Sequence, residues 1–286
     1  DGATYEVTTL REDVETDGRH AVVRFGRDWT RDAERRDFTV NALSVDAEGT
    51  VHDPLGGYPD VLARRVRFIG EPDRRIAEDR LRILRFFRFN AQFGHAAFDA
   101  DGLAAAIRAR NDLRLLSAER VGQEMRKLAI APEALPALAA MQDGGILPVI
   151  LAGVAYLGPF ARLLAFERAA GMAPTVALRL AAMACRVEED ADRIADRLRL
   201  ANAERGLIRG AVAAARRAPA PGDTRAARRL LYALGAETYR DAIALAATWG
   251  ARDVSDLVDL HRLPELAPAP RFPLSGRDAL GAGFAP

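Results

Sequence analysis

At 286 residues the chain is long for a single hydrophobic core and fits one to three domains. Hydrophobic residues make up 49% and charged residues 28%, the mix of a folded globular protein and far from disordered or fibrous compositions. A formal charge of +1 means that a polyanion would have to be met by local patches, and the single cysteine, Cys185, excludes an intrachain disulfide framework and a cysteine-rich zinc site.

Of the 41 basic residues only Lys127 is lysine. Guanidinium forks suit bidentate contact with phosphates and base edges, although genomic base composition produces the same bias. His20, His52, His95 and His261 are scattered with no pair at ligand spacing, so no metal site is read from them. No apolar run reaches the roughly 18 residues of a membrane span, and the first residues carry neither a basic nor an apolar leader segment. The expectation is a cytoplasmic protein without a membrane partner.

In chain order, Tyr5–Leu10 and Ala21–Phe25 are β-rich runs, and Leu43–Asp46 and Thr50–His52 flank a Glu48-Gly49 turn that reads as a hairpin. Between them Asp32–Ala42 is polar and helix-compatible, with Asp32 as the expected N-cap. From about residue 74 apolar residues recur at helical spacing almost to the end. Pro132, Pro136, Gly144-Gly145, Pro148, Gly158-Pro159, Pro174 and Ala218–Gly222 punctuate this array, the last as the best linker. The predicted class is α+β: a small mixed sheet followed by an all-α region.

Three clusters carry chemistry: Arg35–Leu43 (RRDFTVNAL); Asp53–Gly57 (DPLGG), with Asp60 after it; and Glu78–Phe89 (EDRLRILRFFRF). The paired glycines Gly56 and Gly57 free the backbone for a tight turn or a close approach. On one helix Glu78, Asp79 and Arg82 would share a face, and Arg82, Arg85 and Arg88 would form a slanting cationic stripe. Spacing alone fits two readings. One is an ordinary amphipathic helix with i,i+4 ion pairs. The other is a base-reading edge in which Asp79 accepts from an exocyclic amino group, Arg82 donates to a ring acceptor and Glu78 orients Arg82. Cytosine and adenine both carry an amino group beside a ring acceptor, so such an edge would take both. Asp99-Ala100-Asp101 and Asp190-Ala191-Asp192 fit Asp-x-Asp but read as solvated turns or caps.

The order RRDFTVNAL, DPLGG-x-x-D, R-x-I-G-x-P, EDxxRILRxxRF and then Ser117-Ala118-Glu119-Arg120 before Glu124 and Leu128 resembles the head and neck of class II tRNA nucleotidyltransferases (CCA-adding enzymes) and bacterial poly(A) polymerases. Phe272–Asp278 also resembles a tail segment of the CCA-adding members, which favours them over the polymerases. The resemblance implies the rear part of a polymerase-β-like head (1–72), a neck (73–131), a helical body (132–218) and a helical tail (219–286). It implies CTP and ATP as substrates, the tRNA acceptor arm as partner and Mg2+ as cofactor. Carried over by motif, Arg36 and Asp37 would contact sugar or triphosphate, Asp79 and Arg82 would read the base with Glu78 behind them, and Arg85 and Arg88 would bind nucleotide or phosphates. Asn41, Asp53, Gly56, Gly57, Glu119 and Arg120 would give structural support.

The family's Gly-Gly-x-Val-Arg-Asp and Asp-x-Asp elements are absent upstream of Arg35. The metal ligands and catalytic residues are therefore expected before Asp1, and this chain is expected to be a fragment, inactive alone. Addition of only CC or only A, a non-catalytic RNA-binding relic and a purely structural helical array are the alternatives.

Overall fold

A computed structural model describes residues 8–16, 21–94, 97–250, 254–267 and 276–283, which divide into two compact units: residues 1–157 with 193–202, and residues 158–192 with 203–286.

In the first unit β1 (Arg11–Thr16) pairs antiparallel with β2 (Ala21–Phe25), with a register irregularity between Asp13 and Glu15. The strand expected at Tyr5–Leu10 is displaced: Tyr5–Val7 lie outside the described residues, Thr8–Leu10 are not strand, and β2 takes Arg11–Thr16 instead. A search for apolar runs passes over the sequence REDVET, because strand pairing is made by backbone groups that every residue carries.

Helix α1 (Trp29–Glu34) starts at Asp28, whose carboxylate accepts from Thr30 N (2.9 Å) and Arg31 N (3.2 Å). Asp28 thus fills the capping role expected of Asp32, which lies inside the helix, 3% exposed, and turns its carboxylate to Arg35 and Arg36. Strands β3 (Ser44–Val45) and β4 (Val51–His52) form the expected hairpin. Gly49 adopts φ +86° in its turn, and Asp46 accepts from Glu48 N and Thr50 N. The α+β class holds, with the strands of the described residues in two separate antiparallel pairs in place of one mixed sheet. Two-residue strands such as β3 and β4 offer too little edge to recruit another.

The helices that follow are α2 (Tyr58–Leu62), α3 (Pro72–Glu78), α4 (Leu81–Phe93), α5 (Ala100–Arg108), α6 (Ala118–Ala129), α7 (Ala134–Asp143) and α8 (Ile146–Leu151). Gly144-Gly145 separates α7 from α8, with Gly145 at φ +69°. Pro136 and Pro148, read as boundaries, stand instead in the first turns of α7 and α8, where a missing N–H costs no helical bond. The core of this unit is aromatic. Phe38 lies 4.9 Å from Phe68 and 5.2 Å from Phe89, and Phe68 stacks on Phe86 at 5.4 Å. Phe38 and Phe68 also form a backbone bridge, with Thr39 N donating to Arg67 O and Ile69 N to Asp37 O, both at 3.0 Å.

The other helices are α9 (Leu157–Ala170), α10 (Val176–Ala184), α11 (Glu188–Leu198), α12 (Asn202–Ala215), α13 (Thr224–Leu234), α14 (Ala236–Trp249), α15 (Val254–Leu266) and α16 (Gly276–Gly281). In the second unit Glu167 and Arg179 form a buried ion pair at 2.7 Å, and the Tyr239 hydroxyl donates to Leu260 O at 3.0 Å. Ala218–Gly222 is a connection inside this unit. Of the tail-like segment, Phe272–Ser275 lie outside the described residues. Among the described residues no helix is long and apolar enough to cross a membrane.

Candidate functional site

The site grows from a break in the chain direction between α3 and α4. Asp79 has extended backbone (φ −150°, ψ 109°), so Glu78 ends one helix and Leu81 begins another. Asp79 Oδ1 accepts from Leu81 N at 3.0 Å, and Asp79 O accepts from Arg82 N at 3.0 Å. The side chains of Asp79 and Arg82 therefore leave one turn. The single helix face expected for Glu78, Asp79 and Arg82 does not exist, because Asp79 serves as the start signal of α4.

Glu78 nevertheless reaches across the break, and its Oε2 accepts from Arg82 Nη1 at 2.6 Å. The same oxygen accepts from Arg75 Nη1 at 2.6 Å. Arg82 Nη1 also donates to Arg75 O at 2.7 Å, while its Nη2 makes only a long 3.5 Å contact with Arg35 O. That leaves a donor edge of Arg82 weakly used. Asp79 Oδ2 accepts from Arg120 Nη2 at 2.7 Å, and a carboxylate with about four lone-pair positions retains acceptor capacity beyond these bonds.

Asp37, carried by the segment that Phe38 anchors, is 6% exposed. Its Oδ2 accepts from Arg85 Nε at 2.5 Å and its Oδ1 from Asn41 Nδ2 at 2.8 Å. Burial works against the Arg85 charge, but the bond and the field from Asp37 outweigh it and push the guanidinium above its ordinary value. Arg88 Nε donates to the buried Glu124 at 2.6 Å, and its guanidinium lies 4.3 Å from the Phe89 ring centre. Arg36 Nη2 pairs with Asp32 at 2.9 Å and its Nη1 donates to Asn41 O at 2.8 Å.

The two glycines of DPLGG divide the expected tasks. Gly56 turns the chain at φ +67°, while a Cβ on Gly57 would stand 2.3 Å from Thr39 O. Asp53 accepts from Gly57 N (2.7 Å) and Tyr58 N (2.8 Å) at the start of α2. Asp60, fully buried, accepts from Thr39 Oγ1 (2.7 Å), Arg65 Nε (2.7 Å) and Arg67 Nε (3.0 Å). Burial would raise its carboxyl, but these three donors hold it below the usual carboxylate range.

The structure thus joins Arg36, Asp37 and Asn41 to Arg85 in one network, and Glu78, Asp79 and Arg82 to Arg120 in a second. Glu119 is in neither; it is exposed and pairs with Arg199 at 3.2 Å. Sequence reasoning missed Arg75, which links the two networks by donating Nη2 to Arg36 O. Its i,i+3 spacing to Glu78 was the available signal. Magnesium does not fit the residues described. Among them no group of three or more His, Cys, Asp or Glu is placed to hold a metal, and guanidinium groups engage Asp37, Glu78 and Asp79.

Residues 1–67 match the poly A polymerase head domain. The chain is 37% identical over 206 residues to mouse mitochondrial CCA tRNA nucleotidyltransferase 1, covering 71% of this chain and 47% of that protein. It is 39% identical over 170 residues to the CCA-adding enzyme of Geobacillus thermodenitrificans, covering 59% and 42%. Its fold matches the Bacillus stearothermophilus CCA-adding enzyme in complex with CTP with a TM-score of 0.72 and 25% identity, over 100% of this chain and 71% of that one. The Thermotoga maritima CCA-adding enzyme complexed with tRNA shares the fold at a TM-score of 0.63, over 90% of this chain and 66% of that one at 17% identity. The chain spans about half the length of the curated relatives it matches. With a head-domain match at its front and a fold shared along its whole length, the chain is similar to CCA-adding enzymes.

Proposed function

We propose that this chain is part of a nucleotidyltransferase that adds CCA to tRNA 3′ ends from CTP and ATP. The observation that carries the reading is the turn at Asp79–Arg82, where a carboxylate and a guanidinium leave the same backbone turn and Glu78 fixes the guanidinium. Asp79 accepts the amino group shared by cytosine and adenine, and the weakly used edge of Arg82 donates to the adjacent ring acceptor. Arg36, Arg85 and Arg88 supply positive charge for the triphosphate, with Asp37 and Glu124 holding the last two in place. These residues bind and orient; no chemical step is assigned to them. Asn41, Asp53, Gly56, Gly57 and Arg120 support the geometry. The division into head, neck, body and tail at residues 72, 131 and 218 and a cytoplasmic location belong to the same proposal.

The head-domain match also fits a bacterial poly(A) polymerase, and an RNA-binding relic would keep the fold without transfer. One assay separates them: the protein, with any adjoining sequence its gene encodes, is incubated with magnesium, labelled CTP and ATP, and tRNA lacking its 3′ end. Addition of C, C and A in order supports the proposal. Repeated addition of A alone points to the polymerase, and RNA binding without incorporation to the relic.

A further inference from the structure

Arg75 has no role in the reading above, yet it bonds to residues of both networks. It lies in α3, one helical turn before Glu78, with a side chain 12% exposed. Nη1 binds the Glu78 oxygen that also holds Arg82, its carbonyl accepts from Arg82, and Nη2 donates to the carbonyl of Arg36, the residue before Asp37.

Stability alone is a poor account of this arrangement. Two guanidinium groups share one carboxylate oxygen, and Arg75 Nε is buried without a hydrogen-bond partner. Both features cost free energy that an apolar residue at this place would avoid. Burial, followed by repulsion from Arg82, lowers the pKa of the Arg75 guanidinium, in keeping with an unfavourable charge balance. What the arrangement provides is direction. The fork fixes the angle of the Arg82 plane and ties it to the peptide that carries Asp37, which in turn holds Arg85.

The geometry points to Arg75 as a positioning residue for nucleotide selection: without touching the nucleotide, it holds the base-reading edge of Arg82 in register with the Arg36-Asp37 segment. This rests on the base-reading role proposed for Asp79 and Arg82. Lysine keeps the charge but offers a point donor in place of a planar fork, and cannot hold Glu78 and the Arg36 carbonyl in the same geometry.

The test measures dissociation constants of CTP, ATP, UTP and GTP for the 286-residue chain and for the Arg75→Lys and Arg75→Gln variants, with melting curves for each. The expected result is a loss of about tenfold in the preference for CTP and ATP over UTP and GTP, in whichever variant melts cooperatively. Glu78→Gln should lose the same preference, and Arg75→Lys combined with Glu78→Gln should lose little more than either alone. A folded Arg75 variant that keeps the wild-type preference overturns the inference and leaves the base-reading proposal standing. A wild-type chain that binds all four nucleotides alike, or none, overturns the base-reading proposal and this inference with it.

Discussion

The Asp79 carboxylate accepts a 2.7 Å hydrogen bond from Arg120, a residue of α6 forty-one positions along the chain, and takes no side-chain bond from its near neighbour Arg82. The turn at Asp79–Arg82 is therefore braced from outside its own helix. Asp79→Ala should weaken CTP and ATP binding and blur discrimination against UTP and GTP. Arg120→Ala should do so more mildly, and because both side chains are partly exposed their pairing is worth only about 0–1 kcal/mol of stability. Nucleotide titrations of both variants check this; unchanged selectivity in Asp79→Ala would remove Asp79 from the reading role.

Asp37 is a different case, being buried and engaged on both oxygens. Asp37→Asn leaves Arg85 half-buried without its counter-charge, and the expected loss is about 2–4 kcal/mol, measured by urea unfolding. A loss under about 0.5 kcal/mol, the range of ordinary surface substitutions, would show that the pair is not structural.

Gly56 and Gly57 predict unequal penalties. Gly56→Ala places a side chain in left-handed backbone with open space around it, a cost of about 1–2 kcal/mol. Gly57→Ala has ordinary backbone but drives a methyl group to 2.3 Å from Thr39 O, so the chain must shift and the cost should be the larger. Thermal melts of the two variants give the order directly.

How far the site could be read from sequence follows the range of each contact. The Glu78–Arg82 pair is local and was legible from i,i+4 spacing, and the two roles of a Gly-Gly pair follow from lacking a Cβ. That Asp79 breaks the helix was less legible, since Ile83 and Leu84 fall seven and eight residues after Ile76, in phase with one continuous helix. Asp28 as the cap of α1 carried an ordinary signal, an Asp just before the first helical residue, and the competing Asp32 obscured it. The contacts of Arg75 with Arg36 O and of Arg120 with Asp79 join residues 39 and 41 apart, which periodicity cannot reach.

In the second unit two groups titrate against each other. His261 is buried with neither ring nitrogen bonded, and burial pushes its pKa down to about 4. Its contribution is present above pH 6.5 and lost as pH falls through about 4. Burial, with Glu237 nearby, pushes Asp241 up to about 6, so its contribution is present below pH 3.8 and lost as pH rises through about 6. Each is worth about 3 kcal/mol, and they nearly cancel. Asp241→Asn should therefore become less stable on acidification from pH 7 to 4.5, and His261→Phe more stable, measured by urea midpoints. Equal pH slopes in the two variants would refute the assignment.

A face of α13 is the place to test the proposed tRNA partner. Arg225, Arg228, Arg229 and Tyr232 are exposed at i, i+3, i+4 and i+7, while Ala227, Leu230 and Leu231 are buried. None of the three arginines makes a side-chain ion pair among the described residues. Replacing all three with Gln should weaken tRNA binding, and each lost phosphate contact should flatten the plot of log affinity against log salt by roughly 0.7–0.9. An unchanged salt dependence would place the tRNA elsewhere.

A Cβ on Gly122 of α6 would stand 1.9 Å from the carbonyl oxygen of Leu198, and Arg126 Nη2 donates to Arg199 O at 3.0 Å. Residues 193–202 thus return to complete a unit whose remaining chain ends at residue 157. During synthesis that unit must wait, its α6 surface uncovered, until residue 202 has left the ribosome, an interval of several seconds at ~5–20 residues per second. Over that interval nascent chains offer chaperones an unfinished surface, and a stop codon between the two points would release a first unit without the segment that packs on α6.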